Sequence, residues 1–508
     1  MIPKPPFARD LSEAFEIAEF ERLKPQLETL WSALSAREEE PYTSVVIPSL
    51  TLDQSELAKL DGAAFYEERL LFLLIRLRNP QARMVYVTSQ PIHPLILEYY
   101  FQLLAGIPAS HARSRLTLLC AHDESPRSLT EKILERPRLI QRIRYGIADP
   151  SRAFLTVFNS TPLERKLAVL LGIPLNGVDP TLACLGTKSG SRKVFREAGV
   201  SLPEGSEDIR SEDDLLDALE ELRDRRPGIP RAVVKLDESF SGEGNAVFRY
   251  PSSPGREVLR DALPGLAFGV ATETPASYLR KLTAMGGIVE EHLERSESAS
   301  PSVQLRIDPR GEVVLISSHD QILGGVSGHV YQGCRFPAAD AYRRDIQADA
   351  RAIGAVLARR GVVSRLGVDF FVGRAPDSSH WERYALEINL RIGGTTHPFL
   401  ALQFLTGGRL DPESGQFLSP SGQTKFYRST DNLRSESYRG LSPEDLIDIM
   451  TINRLHYSHG TETGALFHMI GALSQFGKVG LTAIGGSPEE AESIYAGAIA
   501  VLDRETRI

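Results

Sequence analysis

The sequence predicts an α/β protein that begins with a parallel sheet. Strand-like and helix-like segments alternate between residues 44 and 171, which is typical of parallel strands joined by helical crossovers. Antiparallel hairpin patterns follow from residue 232 onwards. The chain of 508 residues is long enough for about three or four domains with a sizeable apolar core.

The elements predicted for the first part of the chain are short and closely spaced. Apolar runs typical of buried strands occupy residues 44–48, 83–88, 116–120 and 153–158. Amphipathic patterns predict helices at residues 11–37, 65–77, 94–105 and 163–171. Residues 159–162 follow a strand and begin a helix, where open α/β sheets bind ligands. A plain helix cap explains this segment without a ligand, and we prefer that interpretation.

Composition and charge indicate which partners to expect. The formal net charge is −8, so a general attraction to nucleic acid or anionic lipid is not expected. The cysteines, Cys120, Cys184 and Cys334, are too few and too far apart for a disulfide framework or a cysteine-based zinc motif. The first residues lack the apolar run of a signal peptide, and the dense apolar patch at 70–75 is too short to span a bilayer. We therefore expect a cytoplasmic protein.

A lysine opens the helix predicted after residue 187. Thr187 or Ser189 is expected to cap this helix, and Gly199 is expected to end it. Lys188 lies near the start, where the helix dipole disfavours a cation. Lys188 taken alone would be explained by a position on the protein surface. A nearby anion would explain why a lysine lies at the start of this helix.

A second lysine precedes a glycine-rich hairpin. Residues 232–236 and 246–250 predict two strands, and Lys235 interrupts the apolar run of the first. The tip between them, residues 239–245, is rich in glycine and serine. Such a tip provides the positive φ angles of a tight turn, and it also allows backbone N–H groups to close over phosphates. Lys235 beside the tip favours the phosphate interpretation.

Further on, residues 287–293 predict a short strand whose backbone suits a purine edge, although this pattern is common.

The most informative stretch is residues 384–394. Apolar and polar residues alternate there with the period of a strand, so three polar side chains share one face: Glu387, Asn389 and Arg391. A carboxylate, an amide oxygen and a guanidinium on one face suit a magnesium–phosphate centre, because Mg²⁺ prefers oxygen ligands and arginine donates to charged oxygens.

A second acidic residue is expected opposite this face. Residues 366–372 predict a strand that is apolar except for Asp369. If the two strands pair, Asp369 and Glu387 face each other at about one strand spacing, close to 4.8 Å. A structural ion pair of one acid with Arg391 is the alternative, but two acids, an amide and an arginine together favour a functional site.

The order of these features resembles the ATP-grasp superfamily between about residues 185 and 400. The stretch from Glu387 to Arg391, followed by His397 and Pro398, is similar to the equivalent stretch of biotin carboxylase. Asp369 stands where that enzyme has a glutamate. Residues 464–485 and the α/β front half more generally resemble the peptide ligases of the pheganomycin type. No signature of biotin or bicarbonate chemistry accompanies the match.

The resemblance implies a role for each site residue. The residues expected to bind ATP are Lys188 and Lys235 at the α- and β-phosphates, Ser241, Gly242 and Gly244 in a flap over the triphosphate, and Glu290, Glu291 and Leu293 at the adenine. The residues expected to bind two Mg²⁺ ions, with Mn²⁺ as an alternative, are Asp369, Glu387 and Asn389. Arg391, together with Lys235, is expected to be catalytic and to stabilise the acyl-phosphate and the tetrahedral oxyanion.

The resemblance also implies four domains. These are a pre-ATP-grasp α/β domain (residues 1–184), a small lobe with the glycine-rich flap (185–290), a large lobe with the metal site (291–404) and a small C-terminal α+β domain (405–508).

The implied reaction is an ATP-dependent carboxylate–amine ligation. It would join amino acids or short peptides through an acyl-phosphate and release ADP and phosphate. A homodimer is compatible with this expectation. A small-molecule kinase and an ATP-binding scaffold without turnover are the alternatives.

The C-terminal region contains one further candidate. Residues 424–431 combine basic and hydroxyl side chains with Asp431. These basic groups would either bind a substrate carboxylate or pair with Asp431, and we prefer the ion pair.

Overall fold

The computed structural model describes most of the chain. The described residues are 12–37, 39–52, 57, 60–104, 106–238, 244–269, 273–324, 330–376 and 378–506. Ser241 and Gly242, predicted for the flap, lie outside these residues.

The strands are β1 (Thr43–Ile47), β2 (Arg83–Thr88), β3 (Leu116–Cys120), β4 (Ala153–Val157), β5 (Leu175–Asn176), β6 (Gly205–Ile209), β7 (Arg231–Leu236), β8 (Asn245–Arg249), β9 (Ala267–Phe268), β10 (Gly287–Glu291), β11 (Glu297–Ala299), β12 (Pro301–Ile307), β13 (Val313–Gly324), β14 (Val330–Phe336), β15 (Ser364–Arg374), β16 (Glu382–Asn389), β17 (Arg409–Leu410), β18 (Phe417–Leu418), β19 (Thr424–Arg434), β20 (Gly464–His468) and β21 (Lys478–Gly485).

The α-helices are α1 (Glu13–Ala36), α2 (Pro94–Gln102), α3 (Ala109–Arg113), α4 (Leu129–Leu134), α5 (Pro137–Gly146), α6 (Pro162–Leu171), α7 (Lys188–Ala198), α8 (Glu212–Arg225), α9 (Arg256–Ala262), α10 (Pro275–Met285), α11 (Asp340–Arg359), α12 (Thr396–Thr406), α13 (Pro443–Ile452), α14 (Leu473–Phe476) and α15 (Pro488–Glu505). The 3₁₀ segments are Ala63–Arg78, Pro150–Arg152, Pro180–Gly186, Leu263–Gly265, Glu436–Tyr438 and Ile470–Ala472.

The first part of the chain forms a parallel sheet in the order β3-β2-β1-β4-β5. The predicted α/β class and parallel sheet are therefore confirmed. The predicted helix at residues 65–77 is present as a 3₁₀ helix over Ala63–Arg78. The segment after β4 caps α6: the Thr161 hydroxyl accepts a hydrogen bond from the Leu163 N–H, and the Glu164 carboxylate accepts one from the Thr161 N–H. This capping box is the arrangement that we preferred for residues 159–162.

The second sheet is antiparallel, in the order β6-β10-β7-β8-β9. Along β7 the side chains alternate, so that Val234 and Leu236 are buried in a core with Leu219 of α8. Lys235 lies on the opposite face of the strand and is only partly buried. The pattern of β7 therefore explains how a lysine can interrupt an apolar strand and remain available to a ligand.

The third sheet contains the predicted metal site and continues into the C-terminal region. The strands β15 and β16 lie at one side of it, and β14 pairs with β19, aligning Cys334 with Ser429. The chain that follows residue 404 therefore adds strands to the same sheet. The domain limits at 184, 290 and 404 remain a prediction, and hydrogen bonds between β14 and β19 cross the last of them.

Candidate active site

The two predicted acids face each other on neighbouring strands. The strands β15 and β16 are antiparallel, and their register aligns Asp369 with Glu387, with an irregularity directly after Asp369. This confirms the predicted pairing of the two strands. Since directly opposed residues place their side chains on the same face, both carboxylates point to the same side of the sheet.

Polar side chains from three elements contact the two carboxylates. Lys188 Nζ lies 2.9 Å from Glu387 Oε1. Asn389 donates to Asp369 Oδ2 at 3.0 Å and accepts from the Arg391 guanidinium at 2.9 Å. Gln321 of β13 donates to Asp369 Oδ1 at 2.9 Å. The structure therefore brings together Lys188, Asp369, Glu387, Asn389 and Arg391, which lie up to two hundred residues apart in sequence.

Burial and neighbouring charges shift the pKa of both acids, in opposite directions. Burial raises the pKa of Asp369 to about 6, and the neighbouring charge of Glu387 adds to the rise. Burial also acts to raise the pKa of Glu387, but the charges of Lys188, Arg391 and Lys235 outweigh it, so that the pKa is lowered. Burial lowers the pKa of Arg391, and the charge of Arg69 lowers it further, whereas Glu387 and Asp369 oppose the change.

The oxygen atoms at this site suit a divalent cation. Two carboxylates and one amide oxygen are hard ligands of the kind that Mg²⁺ prefers, and a divalent charge would relieve the repulsion that raises the pKa of Asp369. Within the described ranges, no group of three or more His, Cys, Asp or Glu side chains is placed to hold a metal. The remaining ligands would therefore come from phosphate oxygens and water, as is usual for Mg²⁺ beside a nucleotide.

The first predicted phosphate-binding lysine opens α7. The Thr187 hydroxyl accepts a hydrogen bond from the Gly190 N–H, and the helix ends at Gly199, as predicted. The Lys188 side chain is only 6% exposed and contacts the Glu387 carboxylate, which explains why a cation is tolerated at the positive end of a helix. The lysine is therefore buried against an anion rather than placed on the surface.

The second predicted lysine is linked to the residue expected at the adenine. Lys235 Nζ contacts the carboxylate of Glu290, which is almost fully buried. The other oxygen of Glu290 lies 3.4 Å from Arg192 of α7. Lys235 is also within electrostatic reach of Glu387, whose pKa it lowers. Glu290 thus connects the second sheet to α7 and contacts Lys235.

Some backbone groups at the predicted adenine site already form hydrogen bonds within the protein. The Glu291 N–H donates to the carbonyl oxygen of Glu204 at 2.8 Å, and the Glu291 carboxylate accepts from the Glu204 N–H at 2.9 Å. Leu293 is half-buried directly after β10. Gly244 is buried, and its carbonyl oxygen accepts from the Leu236 N–H at 3.0 Å, closing the hairpin. The adenine and flap roles of these residues remain predictions.

Comparison with known proteins identifies the family of this chain. A family model described as IQCH-like, ATP-grasp matches residues 180–250 and 271–413, and a model described as the PGM1 C-terminal domain matches residues 445–498. The L-propargylglycine--L-glutamate ligase of Streptantibioticus cattleyicolor is 31% identical over 468 residues, which cover 91% of this chain and 94% of that protein. The chain belongs to the ATP-grasp ligase family.

More distant similarities of this ATP-grasp ligase are to one further curated protein and to solved structures of the same fold. The IQ motif-containing protein H of Danio rerio is 23% identical over 457 residues, which cover 80% of this chain and 43% of that protein. An N5-carboxyaminoimidazole ribonucleotide synthetase solved with ADP has a TM-score of 0.52 at 11% identity, covering 92% of this chain and 97% of that one. The biotin carboxylase domain of Hydrogenobacter thermophilus 2-oxoglutarate carboxylase, solved with MgADP, has a TM-score of 0.54 at 13% identity, covering 90% and 89%.

The predicted family, fold class and enzyme class are confirmed. This ATP-grasp ligase is an ADP-forming carbon–nitrogen ligase, and enzymes of its family use ATP with Mg²⁺. In the part of the chain that the structure describes, no helix is both long and apolar enough to cross a bilayer.

The site contains residues of the ligase that the sequence did not reveal. Gln321 and Ser302 both hydrogen-bond to Asp369, and Ser302 lies directly opposite it on β12. Arg192 shares Glu290 with Lys235. A serine or glutamine in a strand carries no sequence pattern of its own. Arg192, however, lies one helical turn after Lys188 on the same helix, which is a signal that could have found it.

One predicted ion pair of the ligase is wrong. The basic side chains near Asp431 were expected to pair with it, but Lys425 pairs with Glu462 at 3.2 Å, and Arg428 donates to the carbonyl oxygen of Ser429 at 2.8 Å. Asp431 instead binds Arg69, with Arg69 NH1 lying 3.0 Å from Asp431 Oδ2. Arg69 is remote in sequence, so no local pattern could indicate this partner.

The raised pKa of Asp369 predicts how the stability of the ligand-free ligase depends on pH. The folded-state pKa of about 6 exceeds the ordinary value of 3.8, so folding favours the protonated form. This contribution is complete below about pH 4 and is lost as the pH rises through 6, at a cost of about 3 kcal/mol. Urea unfolding with EDTA between pH 4 and 7 should therefore show a smaller loss of stability in Asp369→Asn. An identical pH dependence in the variant would contradict the assignment.

Proposed function

We propose that this ligase joins the carboxylate of one amino acid or short peptide to the amine of another. The observation that carries the proposal is the opposed pair of Asp369 and Glu387, with Lys188 and Arg391 around it. The relative that covers most of the chain is named for two amino acids, L-propargylglycine and L-glutamate, which suggests the substrate class.

The proposed reaction has two steps. A carboxylate oxygen attacks the γ-phosphorus of ATP, an oxygen–phosphorus bond forms, and the bond to the bridging oxygen of ADP breaks. The amine nitrogen then attacks the acyl carbon, phosphate departs with its oxygen, and the nitrogen loses a proton to give the amide. Both steps develop negative charge on oxygens, which positioned cations stabilise better than water does.

The proposed roles follow from where the side chains lie. Lys188 and Lys235 hold the phosphate oxygens of ATP. Both lysines already contact carboxylates at the site, and the negatively charged phosphates of a nucleotide bound beside these carboxylates would lie within their reach. Arg391 holds the acyl-phosphate and the oxyanion, since its guanidinium is oriented by Asn389 beside the acids. For Ser241, Gly242 and Gly244 the resemblance in sequence alone supports a role, which is to close over the triphosphate.

The remaining proposed contacts concern the adenine and the metal. The residues proposed at the adenine are Glu290, Glu291 and Leu293. Asp369, Glu387 and Asn389 would hold two Mg²⁺ ions, with Mn²⁺ able to replace them. Bound ions would neutralise phosphate charge and orient the γ-phosphate.

A homodimer is part of the proposal. The related Hydrogenobacter domain was solved as a dimer. Light scattering coupled to size exclusion should then give twice the chain mass of 56.0 kDa. The chain mass alone would remove this part of the proposal and leave the ligase chemistry untouched.

The proposed reaction is tested by its dependence on two substrates. The full-length protein is incubated with ATP and Mg²⁺, first with L-propargylglycine and L-glutamate and then with pooled amino acids and dipeptides. We expect ADP to accumulate only when both a carboxylate and an amine are present, and we expect mass spectrometry to show a product lighter than the two substrates by one water. A phosphorylated product formed from a single substrate would indicate a kinase. ATP binding without ADP release across the panel would indicate a scaffold.

A further inference from the structure

A buried ion pair next to the site has no role in the mechanism above. Arg69, in the 3₁₀ segment Ala63–Arg78, binds Asp431 of β19 with 3.0 Å between NH1 and Oδ2. Their side chains are only 9% and 11% exposed. The two residues come from opposite ends of the chain and meet in the interior. A buried ion pair of this kind need not stabilise the fold, because the free energy of removing two charges from water offsets much of their attraction.

The pair lies beside the loop that carries Arg391. The Phe158 carbonyl oxygen accepts a hydrogen bond from the Ile392 N–H at 3.0 Å, and the Arg69 guanidinium lies 4.8 Å from the Phe158 ring centroid. Phe158 therefore connects Arg69 directly to the residue after Arg391. On the side of Asp431, the Thr430 hydroxyl donates to the carbonyl oxygen of Gln332 in β14 at 2.7 Å. Phe158 therefore places the pair beside the chain that follows the proposed metal ligands, and Thr430 holds the strand of Asp431 against β14.

Arg69 retains hydrogen-bonding capacity that its neighbours do not use. Its NH1 binds Asp431, and its face lies over the rings of Tyr66 and Phe158. The Nε atom is buried and has no hydrogen-bond partner among the described residues. A buried donor without an acceptor is costly, and a carboxylate approaching the Nε edge of the guanidinium would remove that cost.

We propose that Arg69 and Asp431 bind the head group of an α-amino acid, its carboxylate on Arg69 and its ammonium on Asp431. The inference rests on the proposed function and narrows its substrate class. A zwitterion carries the two charges of the pair in reverse order, separated by a single carbon. It can therefore be buried at this pair without leaving a charge uncompensated. A simple amine or a simple carboxylic acid would instead add one net charge to the buried pair, and no opposite charge of the ligand would compensate it.

The test compares amino acids with analogues that lack one charge. The full-length protein, loaded with Mg²⁺ and a non-hydrolysable ATP analogue, is titrated calorimetrically with L-glutamate and L-propargylglycine. The analogues without the ammonium are glutarate and 4-pentynoate, and those without the α-carboxylate are 4-aminobutyrate and 3-butyn-1-amine. We expect at least one amino acid to bind about 10–100-fold more tightly than both of its analogues.

Two variants assign the two charges. Asp431→Asn keeps an oxygen for Arg69 and should weaken amino-acid binding about 10–100-fold while leaving the analogue without the ammonium unchanged. Arg69→Lys should weaken amino acids but not the analogue without the α-carboxylate, because lysine lacks the planar fork. Glu16→Gln is a matched control: it removes the charge of another buried arginine pair, with Arg165, in which the side chains are 7% and 9% exposed.

The outcomes separate this inference from the proposed function. The inference is overturned if Asp431→Asn binds the amino acid as tightly as the unmodified protein does. It is also overturned if the unmodified protein binds amino acids and analogues equally, or binds no amino acid. Binding is measured without turnover, so a protein that binds amino acids through this pair but never releases ADP would contradict the proposed ligation alone.

Discussion

Replacing Glu387 with glutamine is expected to lower ADP release, measured with both substrates present, by at least about 10³-fold. The change keeps the shape of the side chain and an oxygen facing Lys188, whose Nζ lies 2.9 Å from it. It removes the negative charge opposite Asp369, and with it half of the carboxylate charge available to a divalent cation. The loss should appear at saturating ATP and Mg²⁺, and Glu387→Ala should show it as well.

A control on the same strand distinguishes lost chemistry from lost structure. Glu382, at the start of β16, pairs with Arg295 at 2.8 Å and is 42% exposed. Glu382→Gln should therefore retain normal turnover. Circular dichroism and thermal unfolding should show that Glu387→Gln is folded. If Glu387→Gln were fully active, the proposed metal ligands would have to be abandoned.

Replacing Lys235 with methionine is expected to lower kcat/KM for ATP by about 10²–10³-fold. Methionine keeps much of the apolar stem but removes the charge that we place at the phosphates. The fold should survive, because Glu290 still has Arg192 at 3.4 Å as a neighbouring cation. Lys235 is within electrostatic reach of Glu387, so both the affinity for ATP and the rate of the chemical step should fall. Initial rates over a range of ATP concentrations would resolve the two effects.

A surface lysine provides the comparison for Lys235. Lys193 lies on α7, is 51% exposed and pairs with Asp208 at 2.6 Å. Lys193→Met removes the same charge from the same lobe and should leave kcat/KM for ATP unchanged. Equal effects of the two substitutions would mean that net charge, rather than the position of Lys235, controls nucleotide binding.

The sequence predicted those parts of the site that local patterns encode. The period-two alternation around Glu387 and the single acid in the strand of Asp369 were enough to predict that the two face each other, because the strands are close in sequence and pair directly. The cap and end of α7 followed from Thr187 and Gly199 in the same way. These features depend on a few adjacent residues, and their side-chain periodicity is visible without tertiary structure.

The rest of the site depends on contacts between distant segments. Gln321 meets Asp369 because β13, β12 and β15 lie in one sheet, and a glutamine in a strand has no distinctive spacing. Arg69 and Asp431 are more than three hundred residues apart in sequence. The prediction that Asp431 pairs with a basic residue nearby in sequence was therefore wrong. The helix at residues 65–77 was predicted without its 3₁₀ type, because apolar spacing does not distinguish the two helix types.

The hydrogen bonds between β14 and β19 have a consequence for how the family can diversify. Since the segment after residue 404 supplies strands to the sheet that carries the acids, a foreign cassette grafted at that point would expose an unpaired edge on β14. Recombination between relatives should therefore preserve this junction.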